Sequence, residues 1–440
     1  GSDLAVAIVG LYVIQKQIWF CMRYKIGAVN MADTTVVVSG LGAITALGAD
    51  AGSTWAALLA GKSGIRDEAA GPLAARALPV TIAAMMAADP ADRLTPVRAR
   101  RLDRSQQAAL AAAAEAWADA GSPGPDPDRC AVAIGTGIGG VLALLRQDDI
   151  LETAGVRRVS PRTIPMIMPN ASAALLSIEY GARAGAYTPV SACSSGAEAL
   201  ALGARLIHSG EADVVLAGGT EAAVTPITVA SFAQATALSR YSGDPAEASR
   251  PFAADRDGFV LGEGAAVLIL ESAEHAARRG ARVRAVLAGA GITSDAHHLT
   301  APDPAGAMQA AAMGKALTQA GLTPDDLGHV NAHATGTPVG DAAEARAIGL
   351  ALGRRLPVTA PKAALGHSFG AAGAIEALLA VLSIEHGVIP PTRNLTAATV
   401  DPDLDLDVVT SPRHDPQPAV LSNSFGFGGH NVSLLFTAGR

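Results

Sequence analysis

Thr188-Pro-Val-Ser-Ala-Cys193-Ser-Ser-Gly196-Ala-Glu-Ala-Leu-Ala-Leu-Gly203-Ala-Arg-Leu-Ile-His208 is where the chain passes from strand to helix around a thiol. The apolar run from Tyr187 to Ala192 reads as a buried strand. Beyond Cys193 the Ala- and Leu-rich segment keeps helical periodicity and stops at Ser209-Gly210. A cysteine in that turn sits on a helix N-terminus, where free backbone N–H groups and the helix dipole favour an anion and hence a nucleophilic thiolate. The competing reading is a lone cysteine buried as a small hydrophobe. Small residues on both sides keep the sulfur approachable, and on this stretch alone both readings stand.

Outward from it, strands alternate with helices. Thr35-Val-Val-Val-Ser-Gly40-Leu-Gly42 is a β-branched run ending in a glycine turn, and Ala131-Val-Ala-Ile-Gly135-Thr-Gly137-Ile-Gly-Gly140 is another. Thr54 to Leu59 and Arg104 to Ala120 read as helices; Ala212 to Gly219 and Gly264 to Leu270 read as strands. The alternation predicts a parallel-rich α/β architecture. The chain also echoes itself: Val36 to Thr45 resembles Ala285 to Thr293. The strand, cysteine turn and helix near 190–209 resemble Pro357-Val-Thr-Ala-Pro and the helix Gly370 to Glu385. Two homologous halves, 34–283 and 284–437, are expected to pack sheet beside sheet with helices buried between them.

The second half carries the remaining chemistry. Val330-Asn-Ala-His333-Ala-Thr335-Gly336-Thr337-Pro-Val-Gly340-Asp341 puts an imidazole just past a strand. Pro361-Lys362-Ala-Ala-Leu-Gly366-His367-Ser-Phe-Gly370 puts a lysine and a second histidine before a helix. Ser422-Asn-Ser-Phe425-Gly426-Phe427-Gly428-Gly429-His430-Asn431 is a glycine-rich loop before the last strand. Singly, each histidine could be a satisfied core residue and each glycine loop a plain turn. With the Cys193 turn they make four small-residue loops at strand ends, the places where ligands bind in parallel sheets.

Composition narrows the classes. A net charge of −7 and 4% aromatics argue against a nucleic-acid surface, which needs basic stripes and stacking rings. No uninterrupted apolar run reaches the ~18 residues of a membrane span. Cys21, Cys130 and Cys193 are far apart, with no metal or disulfide spacing, so a reducing cytoplasm is the expected location. Residues 1–31 do not fit the strand-and-helix pattern of the rest of the chain and are expected to be an extension or mobile tail outside the fold. Gly135-x-Gly137-x-x-Gly140 satisfies a dinucleotide fingerprint, yet Asp148 and Asp149 come too soon and within a helix to serve as its acidic residue. A zinc site at Cys193, His333 and His367 lacks a close ligand pair, and no metal is expected.

One nucleophilic cysteine points to acyl transfer through a thioester. Two imidazoles exceed what a cysteine hydrolase needs; both suit hydrogen-bonding a thioester carbonyl as it gains negative charge. Thiol, two imidazoles and an enolate describe a decarboxylative Claisen condensation. On the blocks Val190-Ser-Ala-Cys193-Ser-Ser-Gly, Asn331-Ala-His333-Ala-Thr-Gly-Thr, Lys362-Ala-Ala-Leu-Gly366-His367 and Asn423-Ser-Phe-Gly-Phe427-Gly-Gly, the chain resembles the β-ketoacyl-[acyl-carrier-protein] synthase II family. The likeness runs from about Thr34 to the C-terminus and includes Arg250 to Gly264. His430-Asn431 looks more like the actinobacterial mycolate-type synthases.

The resemblance implies a thiolase-like fold, five-layered α-β-α-β-α from two duplicated halves, and fatty-acid chain elongation. The same chemistry in a discrete polyketide ketosynthase is the alternative. It implies that Cys193 takes the acyl chain, with the N–H groups of Cys193 and Phe427 as oxyanion hole and Phe427 as gate. His333 and His367 would hold the malonyl thioester carbonyl, so that His367→Ala would permit acyl transfer while blocking decarboxylation. Lys362, paired with Glu344, would set the electrostatics, with Asp341 also supporting. Thr335 and Thr337 would bind the pantetheine arm, Ile138 and Phe232 would line the acyl pocket, and Arg100 and Arg101 would meet the carrier. The implied partners are acyl- and malonyl-carrier protein and a second copy of the chain. No cofactor is implied beyond the phosphopantetheine the carrier brings.

Overall fold

The computed structural model describes residues 34–74 and 77–439; the expectation for 1–31 lies outside the described residues. Eleven strands form the main sheet: β1 (Val36–Thr45), β2 (Cys130–Gly135), β3 (Gly185–Tyr187), β4 (Val214–Glu221), β5 (Gly264–Ser272), β6 (Ala285–Ser294), β7 (His329–Asn331), β8 (Pro357–Thr359), β9 (Asp407–Val408), β10 (Ala419–Gly426) and β11 (His430–Thr437). Their order is β9-β8-β7-β10-β11-β6-β1-β5-β4-β2-β3. The run β3-β2-β4-β5-β1 in the first half and β8-β7-β10-β11-β6 in the second have the same sense throughout. In each, three strands are parallel and the next two join antiparallel. The architecture is therefore mixed rather than parallel-rich. The halves meet where β1 pairs β6 over Val37–Val286 and Val38–Ala285.

Alternation along the strands builds the layers. The helices α1 (Arg104–Asp119), α2 (Val141–Ala154), α3 (Ser195–His208), α4 (Ala307–Ala320), α5 (Pro338–Leu352) and α6 (Ala372–His386) are the long ones around the site. Val132, Ile134, Leu216 and Val267 face α1, whereas Ala131, Ala133, Ala217 and Leu268 face inward onto α3 and α6. Val420, Val432 and Leu434 close that central layer from the second half. Val330, Val358 and Leu421 turn the other way, onto α4 and α5. This is a five-layered duplication, α-β-α-β-α. Asp148 and Asp149 lie within α2.

Alanine and glycine let the two central helices approach. A Cβ on Gly373 of α6 would lie 2.8 Å from the Cβ of Ala197 on α3. The stretch Phe369–His386 is long and apolar enough to cross a membrane, with mean hydropathy 1.4, but it is 83% buried as the innermost helix. The repeat extends to the backbone of the turns. Ala192–Ser194 and Phe369–Ala371 are both 3-10 turns leading directly into α3 and α6. Each begins with a left-handed non-glycine residue, Ala192 at φ 51° and Phe369 at φ 42°. Gly370 thus occupies in the second half the place of Cys193 in the first.

One expected element differs. The strand before the thiol is only Gly185–Tyr187, half-exposed, and the chain from Thr188 to Ser191 is irregular. It is the edge of the sheet, hydrogen-bonded to β2 on one side alone, so the run does not reach the two-sided cover of β2 and β4.

Candidate active site

Cys193 is carried by a strained turn that its serines tie down. Ser191 N–H donates to Ser195 Oγ at 2.9 Å, Ser195 Oγ to the Ala192 carbonyl at 2.7 Å, and Ser194 Oγ to the Ser191 carbonyl at 2.8 Å. Left-handed backbone at a non-glycine residue costs free energy and persists where the surroundings over-determine it. The turn aims the thiol at the second half of the chain. Sγ lies 3.0 Å from His367 Nε2, and the rings of His367 and His333 meet edge to face at 5.4 Å.

Lys362 organises His333 through its three donors. Its Nζ donates to the His333 carbonyl at 2.5 Å, forms a salt bridge with Glu376, and lies 3.4 Å from His333 Nδ1. An ammonium is a donor only, so Nδ1 accepts and the ring proton resides on Nε2. The expected partner of Lys362 is therefore corrected. Glu344 instead accepts from the backbone N–H of His333 at 2.9 Å and of Ala334 at 2.7 Å, and from Asn423 Nδ2 at 3.2 Å. Glu376, on α6, takes the salt bridge because that helix crosses beneath the lysine. Asp341 pins the same loop, accepting from Gly336 N–H at 3.1 Å and Phe252 N–H at 2.8 Å.

Burial sets the protonation states. It pushes the Cys193 thiol up to about 12, opposed by the Phe427 N–H and by Lys362. Burial, then the Lys362 charge, holds His367 well below its ordinary range; His333 is held down by these and by His367 as well. Burial thus opposes the thiolate that the helix N-terminus favours, and thiol beside neutral imidazole is the expected resting pair. Alkylation of Cys193 by iodoacetamide, followed on its own peptide, is expected to rise about tenfold per pH unit between roughly pH 6 and 9. A flat profile would mean a preformed thiolate–imidazolium pair.

The Cys193, His333 and His367 ligand atoms all lie within 4.8 Å of one another, close enough to contact one ion. The Lys362 ammonium beside His333 opposes a dication there. The same lysine makes a stability prediction. Lys362→Met leaves Glu376 buried without its cation and is expected to cost about 3–5 kcal/mol. Burial raises the Glu376 carboxyl to about 7, against the pull of Lys362. The ionised form is the penalised one, so the loss should be larger at pH 8 than at pH 6 in urea unfolding. Equal losses at both pH values would contradict the assignment.

The three groups open onto a cavity of about 480 Å³. Phe232, Phe259 and Phe369 form an aromatic wall, with Phe232 stacked on Phe369 at 5.1 Å. Thr335 and Thr337, their hydroxyls 3.0 Å apart, also line the cavity. Phe427, its ring 6.3 Å from that of Phe232, lines it too, 37% exposed and flanked by Gly426 and by Gly428 at φ 83°. Ile138 is not on this wall: its N–H turns inward to Glu221 at 3.3 Å and its side chain faces the surface. Arg100 and Arg101 are exposed and form no ion pair among the described residues.

Sequence reasoning missed two groups. Glu376 is the one acid in the buried, apolar part of its helix, Glu385 lying in the last turn, and that was the available signal. Glu221 ends β4 and gathers Gly137 N–H at 2.6 Å, Gly370 N–H at 3.1 Å and Thr136 Oγ1 at 3.2 Å, joining the two halves behind the thiol. Burial raises it to about 7.

A five-layered duplication whose halves contribute a thiol and two imidazoles to one cavity is the architecture of a ketosynthase. The chain belongs to the β-ketoacyl synthase family, matching its N-terminal domain over residues 33–276 and its C-terminal domain over 284–396. It is 47% identical over 404 residues to 3-oxoacyl-[acyl-carrier-protein] synthase 2 of Mycobacterium tuberculosis, covering 91% of this chain and 96% of the relative. The Synechocystis synthase 2 is 41% identical over 426 residues, 92% and 99% covered. Among solved structures, a β-ketoacyl synthase from Burkholderia phymatum superposes with TM-score 0.84 at 35% identity, 92% and 100% covered. A type II polyketide ketosynthase in complex with its acyl-carrier protein does so with TM-score 0.84 at 30% identity, 92% and 100% covered.

Proposed function

We propose that this protein is a 3-oxoacyl-[acyl-carrier-protein] synthase of fatty-acid elongation. The observation that carries the reading is the 3.0 Å contact of Cys193 with His367 beside a Lys362-fixed His333. In the first half-reaction His367 Nε2 takes the thiol proton, the sulfur attacks the acyl-carrier thioester, and the proton passes to the departing carrier thiolate. In the second, the bond between the malonyl carboxylate and its α-carbon breaks and CO2 leaves. The electron pair enters the thioester as an enolate that His333 Nε2–H stabilises, joined by His367 once its own proton has moved from Nδ1 to Nε2. The carbanion attacks the acyl–Cys193 carbonyl, whose oxyanion is held by the N–H groups of Cys193 and Phe427, and collapse releases the β-ketoacyl carrier and the Cys193 thiolate. His367 thus has a duty in acyl transfer beyond the malonyl half assigned from sequence.

Thr335 and Thr337 are proposed to hold the pantetheine arm, Phe232 the acyl chain, and Phe427 the gate. Pantetheine arriving on the carrier is the prosthetic group this scheme uses. Arg100 and Arg101, exposed and unpaired among the described residues, are proposed to meet the acidic carrier. A homodimer is proposed through the open edge of β3, where Val190, Ile164 and Ile178 are exposed at 52%, 59% and 80%; Ile138 would reach an acyl pocket only with that second copy in place. Turnover with saturated acyl carriers against β-functionalised ones tests the pathway. Preference for saturated chains is expected, and preference for β-functionalised chains would favour a polyketide ketosynthase.

A further inference from the structure

Glu221 is a buried acid that this scheme leaves unused. It ends β4 without exposed surface, and its hydrogen-bond donors among the described residues are all uncharged. Oε2 accepts from Gly137 N–H at 2.6 Å and Gly370 N–H at 3.1 Å; Oε1 accepts from Thr136 Oγ1 at 3.2 Å and Ile138 N–H at 3.3 Å. A carboxylate held by three backbone N–H groups and a hydroxyl is seated as an oxyanion is. The duplication shows which seat it fills. Gly370 stands in the second half where Cys193 stands in the first, and the scheme gives Cys193 N–H to the acyl oxyanion. β4 and β10 hold matching places in the two runs of strands. Their last residues also match: Glu221 pairs with Gly264, the first residue of β5, and Gly426 pairs with His430, the first of β11. An ideal Cβ on Gly426 would fall 3.2 Å from Cys193 N. Each strand end thus faces the turn of the other half. At Cys193 it is a glycine, which leaves the seat open. At Gly370 it is Glu221, whose own carboxylate occupies it.

We propose that Glu221 is a positioning residue, an internal anion that plugs the second half's copy of the oxyanion seat and fixes the Gly370 turn beside the reacting groups. The inference rests on the condensing-enzyme reading above. The turn matters because Phe369 directly precedes Gly370 in it. The Phe369 ring lies 4.7 Å from that of His367 and stacks on Phe232 at 5.1 Å. A shift of Gly370 is therefore passed to the imidazole at the sulfur and to the aromatic wall. Gly137 permits the close approach, since a Cβ there would fall 2.8 Å from Glu221 Oε2. Both carboxylate oxygens receive a backbone N–H, so a carboxamide cannot replace them in either orientation: its NH2 always meets a donor.

The test is single-turnover acylation of Cys193 by acyl carrier, followed by intact-protein mass spectrometry, with rate and end point read separately. Glu221→Gln is expected to slow acylation roughly ten- to hundredfold while the end point stays complete, because the fold persists and the geometry does not. Glu221→Gly, which copies Gly426, empties the seat; formate is expected to recover its rate severalfold, and neutral formamide is not. An unchanged rate in Glu221→Gln, or a reduced end point at the wild-type rate, would overturn the proposal. So would the absence of recovery by formate, or equal recovery by formamide. Aggregation of both variants would make Glu221 a folding residue and overturn it as well. If the wild-type protein takes no acyl group, the condensing reading fails and this inference with it; a wild type that acylates beside unaltered variants fails this inference alone.

Discussion

Cys193→Ser is expected to lose acyl-enzyme formation by at least about three orders of magnitude. The sulfur is the proposed nucleophile, and a hydroxyl in its place is far less acidic and less nucleophilic. His367 Nε2 at 3.0 Å would still hydrogen-bond a serine, so loss of geometry would not be the cause. The substitution is nearly isosteric at a 4% exposed position, and folding should survive. Intact-protein mass spectrometry after mixing with acyl carrier reads the outcome. An acyl adduct persisting on another residue would show that the nucleophile lies elsewhere.

The second large effect separates the two imidazoles. His333→Ala removes the Nε2–H donor that Lys362 sets toward the malonyl carbonyl, and CO2 release is expected to fall by about 10²–10³ while Cys193 still becomes acylated. His367→Ala removes both an enolate donor and the base nearest the thiol. It should depress acylation by about 10²–10⁴ as well as decarboxylation. Sequence alone gave both rings to the malonyl half and expected His367→Ala to spare acyl transfer; the 3.0 Å contact with sulfur is the reason we propose that His367 serves acyl transfer as well. Acylation unimpaired in His367→Ala would restore the simpler division.

The duplication was legible because glycine-ended β-branched runs recur, and the catalytic loops because small residues crowd around Cys193, His333, Lys362 and His367. Those signals are local in sequence. What stayed hidden depends on how α6 crosses the second sheet. The salt bridge goes to Glu376 because that helix brings this acid to Lys362, whereas Glu344 is drawn to the backbone N–H groups of the loop before α5. No spacing rule encodes that choice. The burial of the thiol stayed hidden for a related reason. A turn motif shows the helix N-terminus, but the burial that opposes it comes from both halves closing over one sulfur. The outward turn of Ile138 follows likewise from Glu221, an acid 83 residues away in the chain.

The most direct test of the central claim is to charge the protein with a saturated acyl group, add isotopically labelled malonyl carrier, and follow Cys193 and the released carbon together. The account predicts one labelled CO2 for each acyl group leaving Cys193, with the chain recovered two carbons longer on the carrier. Acyl loss as free acid without matching CO2 would make this cavity a hydrolase and contradict the account.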